Sequence, residues 1–288
     1  MSELCFDGLV VEADGQRLDA GQWRSNASRV ALVGQWGPLF ALMCGQAWPT
    51  EGQFTIDGRS ARAGVVSGDV GVASEDAALP DDRTLAQWLA SHLRLAGRSK
   101  RDADGDARRA LERLGIGHLG RYEMAKLPPE GRYAARLAIA CALDPLVVVV
   151  SAPAWTVHSA PADAALLNAA STNAQLLVQC DPARQPELFL SCDEALVTRE
   201  GSCVRLVPRD VVGQSGPSYQ LVVLENGRAL AERLEELGAR VIAFRGALEL
   251  WVNLPESVGT ELLVRTALDT HAPLSRLSPL FGTTASTS

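Results

Sequence analysis

The chain has 288 residues, 47% of them apolar, which is enough for one large domain and a small one with real cores. A net charge of −7 and a pI near 5.2 argue against nucleic acid as a partner, because such surfaces are basic and arranged in patches. The longest aliphatic run, residues 146–150, is far too short to span a bilayer, so membrane contact is expected to be peripheral.

In chain order, residues 9–13 and 53–58 have strand composition closed by glycine. Val30, Ala31, Leu32 and Val33 form an apolar run before Gly34, the pattern of a central strand feeding a turn. Gly37 and Pro38 follow, then a short helix is expected over 39–44, ending near Gly45. The outline is that of a phosphate-binding loop, which needs glycine-rich backbone amides, a lysine for the β and γ phosphates and a Ser or Thr for Mg²⁺. No lysine occurs in the first 99 residues, and the turn between Gly34 and Pro38 is too short to wrap a phosphate.

From 84 to 143 the texture changes to Ala, Leu and Arg at helical spacing. Leu85, Trp88, Leu89, Leu93 and Leu95 predict one helix, Ala107, Ala110, Leu111 and Leu114 a second, and a third is expected from about Arg132 to Leu143. Residues 147–150 then read as a strand buried on both faces of a parallel sheet. Further strands are expected at 176–178 and 195–197, separated by residues 182–186, with a linker at 212–217. Beyond it the order is strand, helix, strand, strand, helix, strand, with Leu230, Leu234 and Leu237 on the buried face of the first helix. That order is the signature of a ferredoxin-like module.

The N-terminal residues lack a basic stretch followed by an apolar core, so no secretory signal is expected and the chain is placed in the cytoplasm. Six scattered cysteines (Cys5, Cys44, Cys141, Cys180, Cys192, Cys203) show no C-x-x-C spacing, and four histidines show no paired arrangement. Small buried thiols are expected rather than a metal site or disulfides. Glu75, Asp76, Asp81 and Asp82 read as a solvated turn rather than a metal cluster.

Taken together, the order of segments resembles the ATP-binding subunit of an ABC transporter, of the exporter class with a small C-terminal domain. The resemblance runs from about residue 4 to 281 and implies an α/β, P-loop NTPase-like ABC ATPase core over 1–211. Within it a helical subdomain is expected over about 84–143, followed by a ferredoxin-like α+β domain over 218–282 and a disordered tail over 283–288. Residues 50–58, 79–89, 136–145 and 192–201 match non-catalytic landmarks of the family.

The family's chemical positions fare differently. Its metal-binding Asp and water-polarising Glu match Ser151 and Ala152, with Pro153 keeping the register. The Asp of the next loop matches His158, the switch histidine matches Cys180, and the nucleotide-sensing glutamine matches Glu75. The signature segment reads Leu127, Pro128, Pro129, Glu130, where two prolines remove amides and the glutamate adds a negative charge where phosphate would sit. The resemblance therefore implies a pseudo-ATPase with no cofactor and no metal, whose vestigial positions are Gly34, Gly37, Glu75, Pro128, Ser151, Ala152, His158 and Cys180. Its implied partners are an integral membrane permease subunit and an intact ABC ATPase subunit. Two alternatives stay open, a weak ATP-binding subunit with a rebuilt site and a free-standing cytosolic scaffold.

Overall fold

This computed structural model describes residues 2–74, 79–80, 82–151, 174–182, 185–199, 202–208, 217–244, 247–255 and 259–279. Two hairpins open the chain. β1 (Leu4–Ala13) turns through Asp14 and Gly15, both at positive φ, into β2 (Gln16–Ser25). That two-residue Asp-Gly loop matches the right-handed strand twist. β3 (Arg29–Gly34) leads to α1 (Gly37–Met43), and β4 (Pro49–Ile56) turns through Asp57 and Gly58 into β5 (Arg59–Ser60). α2 (Ala61–Ser67) and β6 (Val70–Ala73) follow. β2, β1, β4 and β5 form an antiparallel sheet in that order.

Three helices then build one layer: α3 (Leu85–Leu95), α4 (Lys100–Arg113) and α5 (Pro129–Ala140). α3 starts on a capping box, with Gln87 N donating to Thr84 Oγ1 at 3.3 Å and Thr84 N donating to Gln87 Oε1 at 3.1 Å, an arrangement worth about 1 kcal/mol. Leu85, Leu89 and Leu93 are buried as expected, but Leu95 is 85% exposed because it falls on the outer side of the last turn. α5 begins three residues earlier than its apolar spacing predicts, since Pro129 at the first helical position needs no amide partner.

β7 (Val147–Ser151), β8 (Gln175–Gln179), α6 (Pro186–Leu190), β9 (Glu194–Arg199) and β10 (Ser202–Leu206) complete the second sheet. Its order is β10-β9-β3-β8-β7-β6, parallel except for the β10 edge. The pleat divides each strand between two cores. Val148, Val150, Leu176 and Val178 face the helical layer, while Val147, Val149 and Leu177 face α1 and the first sheet. Burial on both faces is why these strands read as unbroken apolar runs.

The last six elements are β11 (Ser218–Val223), α7 (Gly227–Glu236), β12 (Arg240–Phe244), β13 (Glu249–Asn253), α8 (Glu261–Asp269) and β14 (Leu274–Pro279). They form an antiparallel sheet of order β12-β13-β11-β14, the ferredoxin-like arrangement. Leu221, Leu250 and Val252 pack with Leu230 and Leu234 of α7 and Leu263 of α8. Leu237 does not join them: it caps the end of α7 and is 37% exposed. On the opposite face of β13, Glu249 and Asn253 are also buried, and Trp251, 2% exposed, belongs to the core of the helical layer. The positions expected to form the tail, 283–288, lie outside the described residues.

Candidate functional site

In a parallel sheet of this kind ligands are held outside the carboxyl ends of the strands. Here those ends are Gly34 of β3, Ser151 of β7, Gln179 of β8 and Thr198 of β9, brought level by the register pairs Ser151 with Gln179 and Gly34 with Thr198. Only Gln35 and Trp36 separate β3 from α1. Gly34 has φ +99°, and a Cβ there would lie 2.2 Å from the Thr198 carbonyl oxygen, so this position tolerates glycine alone.

The connector is bonded to its own surroundings. Trp36 is fully buried, and its Nε1 donates to the Val33 carbonyl at 3.1 Å while its ring lies tilted toward that of Phe6, the centroids 6.1 Å apart. Gln179 Nε2 donates to the Gly34 carbonyl at 3.2 Å. The Thr198 hydroxyl, 7% exposed as a residue, sits 3.4 Å from the Val33 carbonyl and 3.3 Å from that of Gln35. The amides of Leu39 and Phe40 both donate to the Trp36 carbonyl, at 3.0 and 3.3 Å, and Pro38 has none to offer. A phosphate cradle needs outward-pointing amides. In this turn the Trp36 carbonyl takes up the amides of Leu39 and Phe40, and α1 buries every residue from Pro38 to Met43.

Ser151 ends β7 half-buried, where a hydroxyl can neither hold a divalent cation in the manner of a carboxylate nor act as a base at neutral pH. Cys180 points the other way, into the helical core, at 4% exposure. Burial pushes its thiol well above the ordinary range, with Cys192 and Asp181 adding to the shift, so it stays protonated and unreactive. Cys141 and Cys192 are likewise pushed up to about 12 by burial. The expectation of buried thiols fails at Cys44, which is exposed beyond the end of α1, and at Cys203, which is half-buried. Glu75, Ala152 and His158 lie outside the described residues.

The segment before α5 is fixed from within. Pro128 precedes the helix without a side-chain cap and Pro129 opens it. Arg132 ties the approach down, its Nε donating to the Leu127 carbonyl at 3.1 Å and its Nη2 to that of Ala125 at 3.0 Å. Glu130 is exposed in the first turn, where it answers the positive end of the helix dipole that an anionic ligand would otherwise use. Among the described residues no group of His, Cys, Asp and Glu could hold a metal ion.

Gly34, Gly37 and Ser151 are thus brought to one end of the sheet, while Cys180 is turned away from it and Pro128 belongs to the helical layer. Sequence reasoning missed Trp36, Gln179 and Thr198. Their role depends on contacts across the sheet, with Thr198 lying 163 positions from Gln35.

No protein-family model matches the sequence, and no curated protein matches it. Solved structures match by shape. An ATP-binding subunit of an ABC transporter covers 72% of this chain and 91% of its own, with TM-score 0.58 and 14% identity. A bacterial Atm1-family ABC exporter with ATP bound matches 73% of this chain with 39% of its own, at TM-score 0.58 and 17% identity. The cbiO1 protein of Clostridium perfringens, part of the ABC transporter complex cbiONQ, covers 82% of this chain and 96% of its own, at TM-score 0.60 and 17% identity. At this level of identity the likeness is one of fold: the chain has the fold of ABC ATP-binding subunits.

Proposed function

We propose that this chain is a catalytically inert relative of ABC ATP-binding subunits. In this reading it serves as a structural or regulatory subunit of a membrane ABC export or envelope complex, beside a permease and an intact ATPase, held at the inner face of the membrane through them. The observation that carries the proposal is the two-residue connector after β3, whose carbonyls are bonded by Trp36, Gln179 and Thr198 and whose Leu39 and Phe40 amides are taken up by the Trp36 carbonyl. The inward burial of Cys180, at the position matched to the switch histidine, and the prolines opening α5, at the position matched to the signature segment, support it. We further propose the division into an ABC-like domain over 1–211 and a smaller unit over 218–282 that serves protein association. Among the described residues no helix is long and apolar enough to cross a membrane.

Isolation of the native complex from membranes tests the reading. A permease and an ATPase with intact motifs are expected with this chain, and recovery of a monomer with no membrane partner would overturn the proposal.

A further inference from the structure

Helix α8 carries apolar side chains on the side turned away from its own core. Leu263 and Ala267 pack inside the C-terminal unit, whereas Val264 is 44% exposed and Leu268, one turn on, is 71% exposed. A cavity of about 460 Å³ opens beside them, walled by Val264, Leu268, Pro273, Leu274 and Glu225. Neighbouring apolar side chains next to an apolar hollow have the form of a knob and its hole, unlike a leucine standing singly on a surface.

Charges on the same side of α8 repeat every four residues, with Glu261, Arg265 and Asp269 all exposed. Asp269 holds the last position of the helix, where the negative end of the dipole disfavours an acid, and α8 has no basic residue in its last turn. By contrast α3, α4 and α7 each carry an arginine there, Arg94, Arg113 and Arg233. Arg265 lies one turn before Asp269, yet among the described residues no ion pair joins the two. An acid at the wrong end of a helix, beside uncovered apolar side chains, calls for a cation from outside.

The helix itself carries one that fits. A second copy laid antiparallel across α8, with the two-fold axis level with Ala267, sets Arg265 opposite Asp269 of the second copy and the reverse, because both positions lie two residues from the axis. The same placement brings Leu268 of each copy within one turn of Val264 and Leu268 of the other. A two-fold contact requires a patch that complements itself, and an apolar pair flanked by Arg265 and Asp269 meets that requirement.

We propose that the exposed face of α8 joins two copies of this chain, Leu268 of each entering the cavity of the other and Arg265 pairing with Asp269 across the axis. The contact is separate from the turn after β3 and does not rest on the transporter reading.

Sedimentation equilibrium of the purified full chain, at concentrations up to about 100 μM, tests it. A reversible dimer is expected, weakened about tenfold or more by Leu268→Glu, which alters an exposed side chain and should leave the circular dichroism spectrum unchanged. Arg265→Glu alone and Asp269→Arg alone each set like charges opposite one another and should weaken the dimer. The two combined restore opposite charges, and the dimer should return to within about threefold of the original affinity. A chain that stays monomeric over the whole range, a dimer indifferent to Leu268→Glu, or a charge exchange that fails to restore association would overturn the proposal.

Discussion

Replacing Trp36 by alanine tests whether the turn after β3 is filled by the protein itself. The indole is fully buried, donates to the Val33 carbonyl at 3.1 Å and packs in the core with Phe6 and Leu39. Removing so large a buried ring leaves a cavity in the core between α1 and the first sheet, and the expected cost is about 3–5 kcal/mol. The Thr198 hydroxyl, shared between the Val33 and Gln35 carbonyls at 3.4 and 3.3 Å, can turn to the Val33 carbonyl, which limits the cost of the lost indole donor. Trp36→Phe keeps a ring in place and should cost about 1–2 kcal/mol, chiefly for the lost indole bond. Against a total stability of about 5–15 kcal/mol the alanine variant is seriously weakened but measurable. Urea unfolding is the assay, with the midpoint falling and the slope unchanged. The cavity is apolar, so Mg-ATP should not restore the loss. A cost below about 1 kcal/mol would refute the claim that the Trp36 indole anchors the turn in the core, and recovery on adding Mg-ATP would refute the claim that the turn is closed to nucleotide.

Restoring acidic groups with Ser151→Asp and Ala152→Glu should leave ATP hydrolysis at background, because a base and a metal ligand do nothing without a phosphate cradle; Mg²⁺-dependent turnover in a phosphate-release assay would contradict this. Burial holds the His92 pKa below its ordinary 6.5, so the unfolded chain takes up a proton near that pH before the folded chain does. The stability this residue contributes is therefore full above about pH 6.5 and is lost as pH falls through the lower folded value, and His92→Gln should flatten that part of a stability-against-pH curve. Trp251→Ala should cost about 3–5 kcal/mol in the full chain, where the indole sits in the core of the helical layer, and under about 1 kcal/mol in an isolated 218–282 fragment, where that face is solvated. Equal losses in the two, read by urea unfolding, would mean that Trp251 does not join the units.

Much of the fold was legible because its signals are local. The four valines of β7 read as a strand buried on both sides, and the glycine after α7 together with the apolar runs at 240–245 and 248–254 placed the final six elements in order. β2 was missed although its sequence carries the Asp14-Gly15 hairpin loop. Its exposed face is rich in Gln, Arg and Asp, and its alternation hides behind the apolar continuity of β1. The second such loop, Asp57 with Gly58, likewise marks β5, a strand of two exposed residues with no apolar signal at all. α2 buries only Ala61 and so has no apolar stripe to read. The candidate site was legible as a set of losses, from the missing lysine to Ser151, but not as a closed turn. Gln179 and Thr198 are ordinary strand residues until the parallel register sets them against Gly34 and Gln35.

Thermal unfolding of the purified chain with and without Mg-ATP tests the central claim most directly. At about 1 mM nucleotide, a site with a Kd of about 10 μM would add about 2.7 kcal/mol of stability, enough to raise the midpoint by about 4–5 °C in a chain of this size. The closed turn predicts no shift with ATP, ADP or a non-hydrolysable analogue. A saturable, Mg²⁺-dependent rise of that size would show that this chain holds nucleotide after all.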